Sequence, residues 1–252
     1  MISVPDKQLV IGSLLVILYV LECVFPYFDS FRMKSAHTLS NGIIIGFNAI
    51  ILNLFLVPVA LYSMNTQWGL FNLVSMHKWL ELLLTILSID LLTYFLHVAY
   101  HRIPFLWRFH RMHHSDTEMD VTTGARFHIG EHACSLMVRC VLYSVLALKS
   151  EFVLLYELLF LSNVFFHHAN LSMGSKLDQL YRILLTSPDM HKVHHSDVRD
   201  EADSNYTSLF SFWDRIFGTF KILPNPKQIV YGVKGLKDHQ TVAKMLLTPF
   251  KD

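Results

Sequence analysis

Charge is scarce in this chain. Only 16% of its 252 residues are Asp, Glu, Lys or Arg, against roughly 25% in an ordinary soluble domain. None occurs between Lys34 and Lys78. The formal net charge of +1 excludes both a strongly basic nucleic-acid binder and an acidic solvating tail. Cysteine is equally sparse: Cys23, Cys134 and Cys140 have neither metal-type nor CxxC spacing and cannot build a disulfide framework. There is no linker, low-complexity tract or dinucleotide-type glycine loop. Against these absences stand a 52% hydrophobic content and 15 histidines.

The apolar residues fall in four blocks: Gln8 to Phe28, Asn41 to Ser63, Trp79 to Ala99, and Ala133 to His167. Segments of about 20 apolar residues read as membrane spans. The first block lacks a small-residue cleavage site and is followed by further spans, so it is expected to be a span and not a removed signal peptide. The fourth is interrupted by Lys149, Ser150 and Glu151, which predicts a helical hairpin with arms Ala133 to Leu148 and Phe152 to His167. Arms of that length reach about 24 Å, short of the roughly 30 Å hydrocarbon layer, and either cross a thinned bilayer or dip into it. The expected fold is therefore an all-α integral membrane protein with three single spans, a helical hairpin and a histidine-rich di-metal cap. Residues 1–100 carry the single spans, 90–220 the catalytic region and 221–252 a C-terminal tail.

Arg32 and Lys34 follow the first span, and Arg102, Arg108, Arg111 and Arg126 follow the third. The positive-inside rule then puts those connections, and the cap, on the cytoplasmic side. The membrane is expected to be a bacterial cytoplasmic membrane or the endoplasmic reticulum.

Twelve of the histidines lie between His97 and His195. His97 and His101 are four apart at the end of the third span, on one helix face. His110, His113 and His114 form HRMHH, and His191, His194 and His195 form HKVHH; both continue into Ser-Asp, at Ser115 and Asp116 and at Ser196 and Asp197. The unit HxxHHSD thus occurs twice. Ser187 and Pro188 before the second copy are a helix start. Three protonated imidazoles on one face would repel, whereas neutral imidazole is a metal ligand. With His168, at the end of the hairpin, the set reaches nine imidazoles, the number that two metal ions of four or five ligands require. A carboxylate-free set suits iron, copper or zinc and not calcium or magnesium. Asp90 lies two turns before His97 within a span, where a charge is a functional candidate; it is expected to orient an imidazole or a water.

These residues resemble the fatty acid hydroxylase and sterol desaturase superfamily of membrane di-iron enzymes. Asp90, Tyr94, His97 and His101 are similar to its D-x3-Y-x2-H-x3-H run, and Leu106, Trp107, His110, His113, His114 and Ser115 to its LW-x-x-H-x-x-HHS run. Arg126, His128 and Glu131 resemble R-x-H-P-x-E; His168 and Asn170 resemble H-A-N; and Pro188, His191, His194 and His195 resemble P-x-x-H-x-x-HH. Asn205, Tyr206, Trp213, Asp214, Phe217, Gly218 and Thr219 are similar to its closing NY and WD-x-x-FGT. Val98 and Ile129 depart from the usual arginine and proline. The resemblance implies two iron ions, dioxygen, an external electron donor from a separate redox partner, and hydroxylation or desaturation of a lipid or sterol substrate. It also implies that Asp90, Tyr94, Glu131 and Asn170 support the ligands.

Two other classes compete. His128, Glu131 and His132 spell HxxEH, an inverted zinc-protease signature, although Gly130 weakens a helix there and both HxxHH triads would be unexplained. A non-catalytic metal-binding or transport protein would use the same histidines without consuming oxygen.

Overall fold

The computed structural model describes residues 4–28, 34–65, 68–237 and 240–251; Arg32 lies outside them. Among the described residues five helices are long and apolar enough to cross a bilayer: α1 (Val4–Val24), α2 (Ser35–Met64), α3 (Lys78–Arg102) and, after the short α4 (Pro104–His114), α5 (Ile129–Leu146) and α6 (Ser150–His168). The chain is a multi-pass membrane protein. Among the described residues there is no strand, only the isolated bridges Leu185 to Phe210 and Ser196 to Tyr231.

The helix ends differ from the apolar blocks for local reasons. The first helix stops at Val24 and not at Phe28, because Pro26 lacks the amide that would continue it. The second begins at Ser35, well before Asn41: its polar first turns, unlike those of a bare span, are covered by protein. His37 contacts Asp116 at 2.9 Å and Asn41 donates to Thr122 at 2.8 Å. Such side-chain bonds hold helices together where lipid supplies no hydrophobic drive. Within α2 the turn Leu52–Leu56 is π-helical, next to Pro58, whose missing amide breaks the regular ladder.

The hairpin arms have 18 and 19 residues, longer than expected and close to a full crossing at about 27 Å. Their turn is made at Ala147, which is left-handed at φ 56°, while Leu148 donates to the Tyr143 carbonyl at 3.0 Å. Lys149 pairs with Glu81 of α3 at 2.6 Å, tying the turn to its neighbour. Apolar side chains such as Leu9, Val16, Phe47, Leu54, Val138 and Val141 are exposed, as lipid-facing positions require.

All five long helices bring one end to the same face. Glu22 of α1 accepts from the amides of Val121 and Asn170; the start of α2, the ends of α3 and α6 and the start of α5 meet there too. The polar segment that follows, including α7 (Ser175–Tyr181) and α8 (Pro188–His194), caps this face.

Candidate metal centre

Pro104 starts the construction of the site. The residue before a proline is pushed out of helical geometry, and Ile103 is extended at φ −96°, ψ 115°. The chain therefore breaks after α3 and folds back as α4, so that His97 and His101 face His110 and His114. On the opposite side Ser187 caps α8 through the Met190 amide at 3.3 Å, with Pro188 in its first turn. This presents His191, His194 and His195 to α4.

Nine imidazoles converge in two groups, His97, His101, His110, His114 and His194 in one and His113, His168, His191 and His195 in the other. They are the nine picked out in the sequence. The division cuts across both triads. In each, the residues four apart stay together and the middle one crosses: His113 leaves its triad for the second group, and His194 leaves its own for the first.

The nitrogens that meet are the Nε2 atoms. His97 to His194 is 2.9 Å, His97 to His110 3.1 Å and His101 to His114 3.2 Å; in the second group His191 to His168 is 3.0 Å and His168 to His113 3.2 Å. Nitrogens bound about 2.1 Å from one ion lie roughly 3.0 to 3.4 Å apart, so the spacing fits a shared cation. The tautomers argue the same way. His97 Nδ1 donates to the Tyr206 carbonyl at 2.6 Å, His194 Nδ1 to the Ser204 carbonyl at 2.7 Å, and His110 Nδ1 to Glu131 at 2.9 Å. An imidazole that donates through Nδ1 has, when neutral, a bare lone pair on Nε2. Several lone pairs aimed at one point without a proton between them repel one another unless a cation sits among them. Burial, and then the neighbouring imidazoles, hold His113, His114, His191, His194 and His195 well below the ordinary histidine range, which keeps them in the ligand form. The second group is less tightly oriented: His168 Nδ1 is held by the Val164 carbonyl at 2.7 Å, but Nδ1 of His113, His191 and His195 has no hydrogen-bond partner among the described residues.

Of the four residues expected to support the ligands, Glu131 alone touches an imidazole, that of His110. Asp90 contacts no histidine. It takes the Trp213 indole at 2.9 Å, the Phe210 amide at 3.2 Å and the Tyr156 hydroxyl at 3.2 Å, fastening the cap to α3 and α6. Tyr94 bonds Thr219 at 2.9 Å and stacks on Phe217. Asn170 pins the segment after α1 through Phe28. The two Ser-Asp repeats also diverge: Asp116 is buried, and although burial alone would raise its pKa, His37 and Arg126 hold it well below the usual carboxylate range. Asp197 instead pairs with Lys237 at 2.8 Å.

The HxxEH stretch is not assembled as a protease site. His128 caps α5, accepting from the Gly130 amide at 3.0 Å, and Glu131 is occupied by His110. Sequence reasoning missed His37, Asp203, which meets His101 Nδ1 at 3.3 Å, and the carbonyls of Ser204 and Tyr206. Those carbonyls are placed by Asp214, which accepts from the Tyr206 amide at 2.8 Å and Thr219 at 2.7 Å, and by Asn205, held at φ 50°, a conformation asparagine tolerates. The one outward sign of this support was the NY and WD-x-x-FGT pattern.

Glu131→Leu removes the acceptor that orients His110. We expect metal affinity to fall about 10- to 100-fold, whereas Glu131→Gln, which still offers an oxygen, loses less; competition with a chelator measures both.

Residues 82–219 match the fatty acid hydroxylase family, more than half of the chain. The sequence is 34% identical over 155 residues to alkylglycerol monooxygenase from Xenopus tropicalis and 27% identical over 150 residues to the one from Homo sapiens, covering 60% and 58% of this chain and 32% of each of those proteins. It is 28% identical over 143 residues to the ornithine lipid hydroxylase OlsE from Rhizobium tropici, covering 56% of this chain and 42% of that protein. The chain thus spans about a third of the length of the alkylglycerol monooxygenases it matches. No solved structure matches it. With the histidine order, the converging imidazoles and the matched residues in agreement, the chain belongs to the fatty acid hydroxylase family.

Proposed function

We propose that this protein is a membrane-bound, dioxygen-dependent oxygenase that holds two iron ions and hydroxylates or desaturates a lipid at an unactivated C–H bond. One observation carries the reading. The two imidazole groups close one end of a largely apolar cavity of about 490 Å³ that runs between α1, α2, α3, α5 and α6. A lipid can enter such a space from the bilayer and bring a chain carbon to the histidines without crossing water.

The nine imidazoles, His97, His101, His110, His114 and His194 with His113, His168, His191 and His195, would hold the metal. Iron bound there supplies the activation of dioxygen that attack on a saturated carbon requires. The chain's own residues do the rest. Glu131 and the carbonyls of Ser204, Tyr206 and Val164 fix imidazole tautomers, Phe127 stacks on His113 with ring centroids 4.3 Å apart, and the apolar walls exclude water from the reacting end. Electrons come from a separate redox protein. Arg102, Arg108 and Arg111 favour a cytoplasmic site by the positive-inside rule; Arg126, counted with them from sequence, is fully buried and adds nothing to that argument. The names of the relatives support a lipid substrate, whereas a protease would need Glu131 free.

The test is metal and oxygen together. Protein purified in detergent from iron-supplemented cells is expected to carry two coupled irons by Mössbauer spectroscopy and to consume oxygen with reductant and membrane lipid extract. Two bound irons without oxygen uptake on any lipid extract would leave only the metal-binding class, and a single zinc would reopen the protease reading.

A further inference from the structure

The cavity is polar at the histidine end and again near Lys7, Gln8 and Asn53, and between these ends its largely apolar wall carries one ion pair. Arg139 of α5 and Glu157 of α6 form an ion pair inside it, about 12 Å along α5 from Glu131 and about 16 Å along α6 from His168 at 1.5 Å per residue. Both lie on the cavity faces of their helices: Ser135, Arg139 and Tyr143 line it from α5, and Val153, Glu157 and Val164 from α6. Neither touches the histidines. Their neighbours Val138 and Val141, by contrast, face lipid.

A charge pair at this depth is costly and calls for a purpose. Linking α5 to α6 is one, but it leaves two features unexplained. Arg139 is braced from behind, its Nη2 donating to Thr93 at 2.9 Å; Thr93 meets Tyr156 at 3.2 Å, and Tyr156 donates to Asp90 at 3.2 Å. A polar chain thus runs from the cap to the cavity and sets the guanidinium in one place. Yet the pair is not sealed: the side chains of Arg139 and Glu157 stay 12% and 20% exposed, and both line the cavity. An arginine held this firmly and left partly open, beside a carboxylate in the same wall, presents a donor and an acceptor together.

The geometry points to Arg139 and Glu157 as the residues that select the substrate, by binding an uncharged hydroxyl on a single-chain lipid. A hydroxyl accepts from the Arg139 guanidinium and donates to Glu157, whereas an ether or ester oxygen can only accept. A charged head would have to break the existing pair. The distance from this pair to the histidines then sets which chain carbon reaches them. This inference rests on the oxygenase reading, because only there is the histidine end a reacting end.

Binding can be measured without turnover, so the two can fail separately. Purified holoprotein, without reductant, is placed in detergent micelles doped with equal mole fractions of 1-hexadecanol, its methyl ether and hexadecanoate, and the retained lipid is counted by native mass spectrometry. The alcohol is expected to be preferred about tenfold or more, as for sites built around a hydroxyl. The double substitution Arg139→Met with Glu157→Met, which removes both charges together, is expected to erase the preference while the metal content of the protein is retained. Equal retention of alcohol and ether by the native protein overturns the proposal, and so does a preference that survives in the double variant or greater retention of hexadecanoate than of the alcohol. If the double variant does not fold, Glu157→Gln with the same probes, together with the native comparison, decides. Selective binding without oxygen consumption would sink the oxygenase reading and leave the hydroxyl site standing.

Discussion

Replacing His194 by alanine is expected to lower oxygen consumption more than about 100-fold, beyond the range seen when only an orienting partner is lost, and to leave no more than one metal ion tightly bound. His194 is the one member of the second triad that joins the five-imidazole group, and its Nε2 lies 2.9 Å from that of His97. Alanine takes a donor from the middle of the group, and its Nδ1 bond to the Ser204 carbonyl disappears with it. His128→Ala is the control: it removes a helix cap and should leave both metals in place. Metal analysis and oxygen uptake on the same preparations separate the outcomes, and full metal retention in His194→Ala would refute the ligand assignment.

The second large effect lies outside the imidazoles. Arg126 and Asp116 are both fully buried and 3.4 Å apart; Arg126 also donates to Ser115 at 2.9 Å and to Gln240 at 2.7 Å. Removing one partner of a buried pair leaves an uncompensated charge, at a cost of about 3–5 kcal/mol. Arg126→Leu should therefore unfold at distinctly lower temperature in detergent. Asp116 keeps His37 and Thr123, which donates at 2.8 Å, so the loss should fall at the low end of that range. Adding Asp116→Asn to Arg126→Leu is expected to cost less than Asp116→Asn costs alone, since the pair it would break is already gone. A thermal-denaturation double-mutant cycle measures this coupling, and strict additivity would refute it.

The parts of this molecule that were legible in its sequence are those that side-chain type and spacing encode. Long apolar runs disclosed five helices, and imidazoles at i, i+3 and i+4 disclosed a shared face whatever the tertiary arrangement. The division of the nine between two groups was not legible, because on a helix His110, His113 and His114 share a face; the approach of α6 and α8 separates His113 from its neighbours. The carbonyls of Ser204 and Tyr206 were also hidden, since every residue has a carbonyl and position alone makes these two matter. Asp90 shows the converse. A carboxylate within a span looked like part of the site, but the cap reaches down to it through Trp213, and its role is to join two parts of the fold. The polar start of α2 was read as lying outside the span because its burial is supplied by residues about 80 positions later.

The exchange of middle histidines has a thermodynamic corollary. Because α4 and α8 each contribute to both groups, a cation in either one clamps the same two short helices, 77 residues apart in sequence from His114 to His191. The second cation then finds its donors already aligned and is spared the entropic cost of ordering them. Occupancy should accordingly rise in a paired fashion, with singly loaded protein scarce during titration. By linkage, whatever strips one ion loosens its companion to the same degree, so the pair behaves toward chelators as a single unit.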